Sequence, residues 1–229
     1  MVRQARIVVP GYIYHVTQRG NYKQDIFLHE DDFKKYFHCI NFYSQKWSMQ
    51  VLACCLMRNH VHLIVIPKKQ NSMALAIGQA HMEYSKYFNE KLHRAGHLWQ
   101  GRFFSCLLDS RHLMAAVRYV ECNPVRSGLV LNAWEWQWSS ARYHMGLGRA
   151  PLNLGDIHQY FDVVNWGAYL SGRDDEKIIE LLRSSTRQGR IVGDQEFIEE
   201  IETVTSCRMI KRPRGRPKKM TSVPILNVS

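Results

Sequence analysis

The amino-acid sequence predicts an α+β protein in which helices cover a central antiparallel sheet. Short runs of β-branched and aromatic residues alternate with segments whose apolar residues recur every three or four positions. Hydrophobic residues make up 45% of the 229 residues, enough for the core of one good-sized domain with an appendage. No run approaches the ~18 apolar residues of a membrane span. Residues 1–10 also lack the apolar region of a signal peptide, so we expect a cytoplasmic protein.

The first half of the predicted sheet comes from residues 11–67. Aromatic and β-branched residues predict a strand over 11–19, with His15 among them. Asp31 is positioned to cap the helix that follows. A second strand over 50–56 turns through Arg58 and Asn59 into a third strand, which contains two histidines and stops at Pro67.

The next elements complete the pattern. Asn71 and Ser72 begin a helix with a long apolar face, and residues 102–108 predict a further strand. Asp109 or Ser110 caps a third helix, which we expect to end at Asn123–Pro124 because proline disfavours helix in the residue before it. The resulting order of strand, helix, strand, strand, helix, strand matches a ferredoxin-like split βαβ sandwich. In that topology the first and third strands are central.

Composition changes after about residue 151. Residues 174–182 and 195–204 predict two acid-rich helices joined by 186–190. A helix-turn-helix is one interpretation, but four glutamates on the second helix make a poor surface for a DNA groove, so we favour a structural appendage. We therefore divide the chain into a main domain at 1–150, a helical appendage at 151–206 and a basic tail at 207–229.

The charge of the chain indicates a nucleic-acid partner. The net charge is +11, and residues 207–219 contain seven basic residues and no acid. A solubilising tail is the simpler alternative. The six cysteines show no C-x-x-C spacing, which favours reduced core residues over a disulfide framework or a zinc site.

His60 and His62 flank Val61 in the third predicted strand. Side chains two apart in a strand point to the same face, so the two imidazoles converge as adjacent ligands of a divalent metal would. Two hydrogen-bonded, half-buried histidines would fit the same spacing equally well.

Tyr119 and Asn123 lie one helical turn apart in the third predicted helix, on one face. An ordinary core-edge tyrosine and a helix-terminating asparagine are the simpler interpretation. Taken with the histidines, however, two imidazoles and one amide oxygen can hold Mg²⁺ or Mn²⁺ with positions open for phosphate oxygens. A tyrosine hydroxyl beside such a metal can attack phosphorus and form a phosphotyrosine bond.

Four ordered blocks carry a family resemblance. They are Asn59-His60-Val61-His62-Leu63, Gly96-His97-Leu98-Trp99-Gln100-Gly101-Arg102-Phe103, the block that begins at Tyr119 and runs to Val130, and Trp138-Ser139-Ser140-Ala141. Together they resemble the HUH single-tyrosine transposases, and most of all the bacterial REP-associated tyrosine transposases. The resemblance extends from about Gly11 to Met145.

The resemblance implies a ferredoxin-like catalytic domain at 1–150 that nicks and transfers single-stranded DNA, often beside a palindromic hairpin. It implies that His60 and His62 bind the metal, that Tyr119 is the nucleophile, and that Asn123 is the third metal ligand. Relatives in mobile elements usually have glutamine at this last position, one methylene longer than Asn123. Cleavage would leave a 5′-phosphotyrosine and a free 3′-hydroxyl.

The basic tail contains Arg214-Gly215-Arg216-Pro217, which resembles the core of an AT-hook. Glycine lets an extended backbone enter a narrow minor groove, and the arginines follow its negative potential. Sequence-neutral phosphate binding by the same charges is an equal alternative. The candidate DNA-binding residues are Lys211, Arg212, Arg214, Gly215, Arg216, Pro217, Lys218 and Lys219.

Two other functions fit the same residues. One is a regulator that binds hairpin DNA without cleaving it, and the other is a metal-free RNA endonuclease that uses histidine for acid–base catalysis. The chain lacks the phosphate-binding G-x-x-x-x-G-K-[ST] loop of helicases that accompany replication initiators. We expect a monomer or homodimer that associates with the nucleoid.

Overall fold

The computed structural model describes residues 8–207, and within them the chain forms a five-stranded sheet. The strand order is β2-β3-β1-β4-β5. β1 pairs antiparallel with both β3 and β4, β2 pairs antiparallel with β3, and β5 pairs parallel with β4. The strands are β1 (Ile13–Arg19), β2 (Met49–Met57), β3 (His60–Pro67), β4 (Phe104–Leu108) and β5 (Ile191–Val192). The predicted ferredoxin-like order is confirmed, with the first and third strands in the interior of the sheet.

Helices cover both faces of this sheet. They are α1 (Glu30–Lys46), α2 (Ser72–Lys91), α3 (Ser110–Glu121), α4 (Asn123–Arg126), α5 (Ala141–His144), α6 (Trp166–Ser171), α7 (Glu176–Gln188) and α8 (Gln195–Thr205). Buried residues of α1 and α2 pack on one face, beneath Val61, Leu63 and Val65. Buried residues of α3 and α7 pack on the opposite face, against Ile64 and Ile66.

The alternation of β3 explains where its histidines lie. Odd-numbered residues of this strand face α1 and α2, so the even-numbered His60 and His62 face the side of α3 and α7. His62 is opposite Thr17 and His60 is opposite Arg19 in the neighbouring β1. The central strand thus places both imidazoles on a rigid, well-supported surface.

The first helix begins differently from the prediction. The proposed cap at Asp31 is wrong, because α1 starts at Glu30 with His29 as the preceding residue. Asp32 performs the capping role instead, since its Oδ2 accepts from the backbone N–H groups of Leu28 and His29 at 2.9 Å. Asp32 is fully buried and receives Lys91 Nζ at 2.6 Å. At the start of α3, by contrast, the predicted Asp109 cap is confirmed by a 2.7 Å bond from the His112 N–H.

The end of α3 contains a break that the sequence did not predict. α3 stops at Glu121, and after Cys122 a short α4 begins at Asn123 with Pro124 in its first turn. Proline is tolerated there because first-turn N–H groups have no partner within the helix. Asn123 nevertheless stays next to Tyr119, since its Nδ2 donates to the Tyr119 carbonyl at 3.0 Å.

Residues after 151 contribute to the same sheet. α7 extends to Gln188, so residues 186–188 are helical and not part of a link as predicted. Gly189, in the left-handed conformation with φ 66°, ends the helix. Residues 191–192 then form β5, whose two residues are too few to produce a recognisable pattern. The division at 150 stays a prediction.

Two predictions from composition can be compared with the described residues. All six cysteines are free, and five of them are buried, as expected for reduced core residues; Cys207 is exposed. Between residues 8 and 207, no helix is long and apolar enough to cross a membrane. The predicted DNA-binding residues of the basic tail lie outside the described residues.

Candidate active site

His60 and His62 lie side by side on β3, with ring centroids 5.0 Å apart and planes at 77°. His62 is buried, and His60 is partly buried at the start of the strand. The predicted convergence of the two imidazoles on one face is therefore present in the structure. Their hydrogen bonds determine which nitrogen of each ring is available.

The partner of His60 is its own neighbour in the chain. His60 Nδ1 lies 2.6 Å from Asn59 Oδ1. The Asn59 amide group donates from Nδ2 to the Lys23 carbonyl at 3.1 Å, which identifies Oδ1 as the acceptor. His60 must then carry its proton on Nδ1. Its Nε2 has no hydrogen-bond partner in residues 8–207 and retains a free lone pair.

The partner of His62 comes from β1. His62 Nδ1 lies 2.9 Å from His15 Nε2, and the two rings stack with centroids 5.2 Å apart. His15 Nδ1 in turn lies 2.8 Å from Thr186 Oγ1 on α7. As for His60, the Nδ1 atom of His62 is occupied by a protein group and Nε2 is the remaining nitrogen.

Burial keeps these rings neutral. It lowers the pKa of His15 to about 3 and that of His60 to about 3, with the Arg19 charge adding to the effect at His60. Burial, followed by its neighbours' charges, lowers the pKa of His62 well below its ordinary value. A neutral imidazole is the form that ligates a metal.

Tyr119 reaches the histidines from α3. Its ring stands edge-on to His62 and to His15, with both centroids 5.6 Å away. The residue is only 6% exposed. Two guanidinium groups lie near its ring, those of Arg126 at 4.7 Å and Arg183 at 5.8 Å from the centroid. These cations make the surroundings of the tyrosine favourable for an anion such as phosphate.

One ion pair and one hydrogen bond to the backbone hold Arg126 next to Tyr119. Arg126 donates to the Tyr119 carbonyl and to Asp174 Oδ2, the latter at 3.0 Å. Arg118 also approaches Asp174, with Nη2 3.5 Å from Oδ1. Asp174 precedes α7 and thereby links the end of α3 to the C-terminal part of the chain.

Asn123 is buried and its amide group is oriented by backbone carbonyls. Nδ2 donates to the carbonyls of Tyr119 at 3.0 Å and Val120 at 3.2 Å. Both amide protons are then used, and Oδ1 remains an acceptor without a protein donor among the described residues. No group of three His, Cys, Asp or Glu within 8–207 is arranged to hold a metal. Two imidazole nitrogens with an amide oxygen are nevertheless a chemically suitable donor set for Mn²⁺ or Mg²⁺.

Hydrogen bonds connect the second and fourth blocks of the resemblance to strands of the sheet and to α3. Gln18 Nε2 donates to the Gly101 carbonyl at 2.6 Å, which ties the second block to β1. In the fourth block, Ser140 donates to Glu121 on α3, and the Cys54 N–H of β2 donates to Ser140 Oγ at 3.0 Å. Contacts across the fold thus connect segments that are far apart in the chain.

Sequence reasoning missed four residues of the site: His15, Thr186, Arg126 and Arg183. The sequence could have indicated a role for His15, because a histidine within an apolar strand is buried and a buried imidazole needs a hydrogen-bond partner. Arg126 lies inside a recognised block but had no assigned role. Thr186 and Arg183 had no signal, because nothing local indicates that α7 packs against β1 and α3.

Comparison with known proteins identifies the class. Residues 8–123 match the IS200-like transposase family, and this match covers half of the chain. The chain therefore belongs to the IS200-like transposases. The expected membership of the single-tyrosine transposase group is confirmed.

Two individual proteins are similar to the chain. A Haemophilus influenzae protein described as a REP-associated tyrosine transposase is 24% identical over 107 residues, 42% of this chain. The match spans 61% of that relative's length. A solved REP-associated tyrosine transposase, bound to a REP hairpin, superposes with a TM-score of 0.51 at 19% identity. It covers 69% of this chain and 93% of its own, which shows the shared fold.

Proposed function

We propose that this protein nicks and rejoins single-stranded DNA through a 5′-phosphotyrosine intermediate, with Tyr119 as nucleophile. The observation that carries the proposal is the 5.6 Å approach of the Tyr119 ring to His62, from a separate element onto the central strand. His60, His62 and Asn123 are the proposed ligands of Mg²⁺ or Mn²⁺. This assignment is supported by the two available Nε2 atoms and the unused Asn123 Oδ1.

The proposed step transfers one phosphoester bond. The Tyr119 hydroxyl loses its proton, its oxygen bonds to phosphorus, and the bond between phosphorus and the 3′-oxygen breaks. The 3′-oxygen takes up a proton and leaves as a hydroxyl, which can attack the phosphotyrosine bond in the reverse reaction. Bond energy is conserved, so rejoining needs no nucleotide cofactor.

His60 and His62 would hold the metal through Nε2, and Asn123 would complete the set through its amide oxygen. A bound divalent ion would polarise the scissile phosphate and offset the charge that develops on it. Arg126 and Arg183 supply positive charge on the tyrosine side of the same site. With a metal bound, the scissile phosphate would have positive charge on two sides, from the metal and from these two guanidinium groups.

The proposed substrate is DNA that forms a hairpin with single-stranded flanks. A REP hairpin is the ligand of the solved relative. In this chain the basic residues from Lys211 to Lys219 add charge that binds phosphates or a minor groove, and so tethers the catalytic domain near its target.

The test is a covalent-adduct assay in Mn²⁺ with a hairpin oligonucleotide that carries its label on the 3′ side of the cleavage site, the part that stays joined to the tyrosine. Wild-type protein should form a denaturant-resistant protein–DNA adduct, and Tyr119→Phe should form none, because the ring remains but the nucleophilic oxygen is lost. Tyr143→Phe is the matched control, since Tyr143 is 40% exposed on α5, and it should retain the adduct.

Other results would select another function. An adduct that persists in Tyr119→Phe would contradict the assignment of the nucleophile. Hairpin binding without any cleavage in the wild type would favour a non-catalytic regulator. Cleavage of RNA that survives chelation and leaves no adduct would favour a metal-free endonuclease.

A further inference from the structure

We propose that His15 and Thr186 are positioning residues that determine which ring nitrogen of His62 is available for a metal. The inference rests on the proposed role of His62 as a ligand. Histidine ligands commonly donate their second ring N–H to a neighbouring acceptor, which sets the tautomer and the ring orientation. Here the acceptor is another histidine, and a threonine from a distant helix sets the tautomer of that histidine in turn.

The hydroxyl of Thr186 determines which group donates in each of the hydrogen bonds between Thr186, His15 and His62. Its hydroxyl lies 2.6 Å from the Leu182 carbonyl, one turn earlier in α7. A carbonyl can only accept, so the single hydroxyl proton of Thr186 is used in this bond. Thr186 Oγ1 must then accept from its other neighbours. These are His15 Nδ1 at 2.8 Å and the Cys106 thiol at 3.1 Å.

The next two bonds follow from the first. Because His15 donates from Nδ1, a neutral His15 ring has its lone pair on Nε2. That atom lies 2.9 Å from His62 Nδ1, so His62 must be the donor in this contact. His62 then carries its proton on Nδ1 and presents an unprotonated Nε2. Every proton in the chain Leu182–Thr186–His15–His62 has one allowed position.

This arrangement makes α7 part of the proposed metal site. Thr186 is 1% exposed and lies outside residues 8–123, the segment that matches the transposase family. The bond to His15 spans 171 positions in the sequence. If the acceptor on Thr186 were removed, a proton on His15 Nδ1 would be buried without a partner, at a cost of about 1–3 kcal/mol. His15 would instead favour a proton on Nε2, and His62 would shift its own proton to Nε2.

The experiment compares Thr186→Val with Thr186→Ser in the full chain. Valine keeps the shape and removes the acceptor, whereas serine retains it. Thr203→Val is the matched control, since its hydroxyl makes the same bond one turn back, to Glu199 at 2.8 Å, on the exposed side of α8. The first readout is the pair of imidazole ¹⁵N chemical shifts of His62 in metal-free protein. The second is the affinity for Mn²⁺ in the absence of DNA.

We expect His62 to be protonated on Nδ1 in the wild type, Thr186→Ser and Thr203→Val. In Thr186→Val the proton should move to Nε2, and Mn²⁺ affinity should fall about 10- to 100-fold. A wild-type His62 protonated on Nε2, or a Thr186→Val protein with an unchanged tautomer, would overturn the inference. If the His62 proton moves as expected in Thr186→Val but the wild-type protein binds no Mn²⁺, the inference about the tautomer holds and the proposed metal role of His62 is refuted.

Discussion

Each of the two candidate metal-binding histidines is oriented by a hydrogen bond to one other side chain. Asn59 orients His60 from within the same turn, and His15 orients His62 from the adjacent strand. Both partners occupy Nδ1, so Nε2 is the nitrogen that each ring has left for a metal. The two histidines therefore have the same tautomer for different structural reasons, one local and one tertiary.

At this scale we predict that the metal serves cleavage and not DNA docking. His60→Ala and His62→Ala should each lower the rate of hairpin cleavage about 100-fold or more, since several kcal/mol of charge stabilisation is lost. The dissociation constant for the hairpin, measured by fluorescence anisotropy, should change less than about threefold. His38→Ala, on the exposed side of α1, is the control and should alter neither quantity. Equal loss of binding and cleavage would contradict the prediction.

Helices α3 and α7 contribute side chains to the candidate site on the face of the sheet where His60 and His62 lie. α3 carries Tyr119, and α7 carries Arg183 and Thr186. The end of α7 requires a left-handed residue, and Gly189 supplies it with φ 66° and ψ 36°. The chain then turns directly into β5, so the placement of α7 and the pairing of β5 depend on the same glycine.

We predict opposite effects of two glycine-to-alanine changes. Gly189→Ala should lower the free energy of unfolding by about 1–2 kcal/mol, because a Cβ is disfavoured in the left-handed region. Gly78→Ala should raise it by about 0.5–1 kcal/mol, since Gly78 lies inside α2 and an added Cβ meets no atom within 4 Å. Urea unfolding monitored by circular dichroism measures both changes. A destabilised Gly78→Ala protein, or a stabilised Gly189→Ala protein, would refute this reasoning.

The whole molecule buries several titratable groups. Glu121 is completely buried and accepts from Ser140, from Trp166 Nε1 at 3.1 Å and from His144 Nδ1 at 2.6 Å. These bonds connect α3 with the segment that leads to α6. Buried histidines occur on both faces of the sheet, and His81 stacks on Trp99 on the face opposite the site.

We predict that the metal-free protein loses stability below about pH 6.5. Burial lowers the pKa of His15 and His81 to about 3 and that of His62 well below its ordinary value. Below pH 6.5 the unfolded chain therefore binds more protons than the folded chain, and folding stability falls as pH falls toward the folded-state pKa values. Each of the three histidines should cost on the order of 1 kcal/mol by pH 5.5.

Urea unfolding at pH 7.5 and pH 5.5, with a chelator present, checks this dependence. His158→Gln is the control, because its side chain is 56% exposed whereas those of His15, His62 and His81 are buried. Equal free energies of unfolding at the two pH values would contradict the prediction that the buried histidines take up protons only when the chain unfolds.

Much of the fold follows from local pattern. Periodicity predicted the first four strands and the first three helices, and the i, i+2 and i, i+4 spacings singled out His60, His62, Tyr119 and Asn123 as candidate site residues. The errors are equally local in origin. Asp31 and Asp32 are adjacent acids at a helix start, and only the burial of Asp32 against Lys91 decides which one caps α1.

By itself the sequence determined the order of the first four strands, the family resemblance and the face that the two histidines share. These properties depend on residues near one another in the chain. Only the tertiary structure decided that His15 and Thr186 set the tautomer of His62, and that arginines from α4 and α7 flank Tyr119. Their contacts join residues up to 171 positions apart, and a hydrogen bond of that kind depends on packing that no local pattern records.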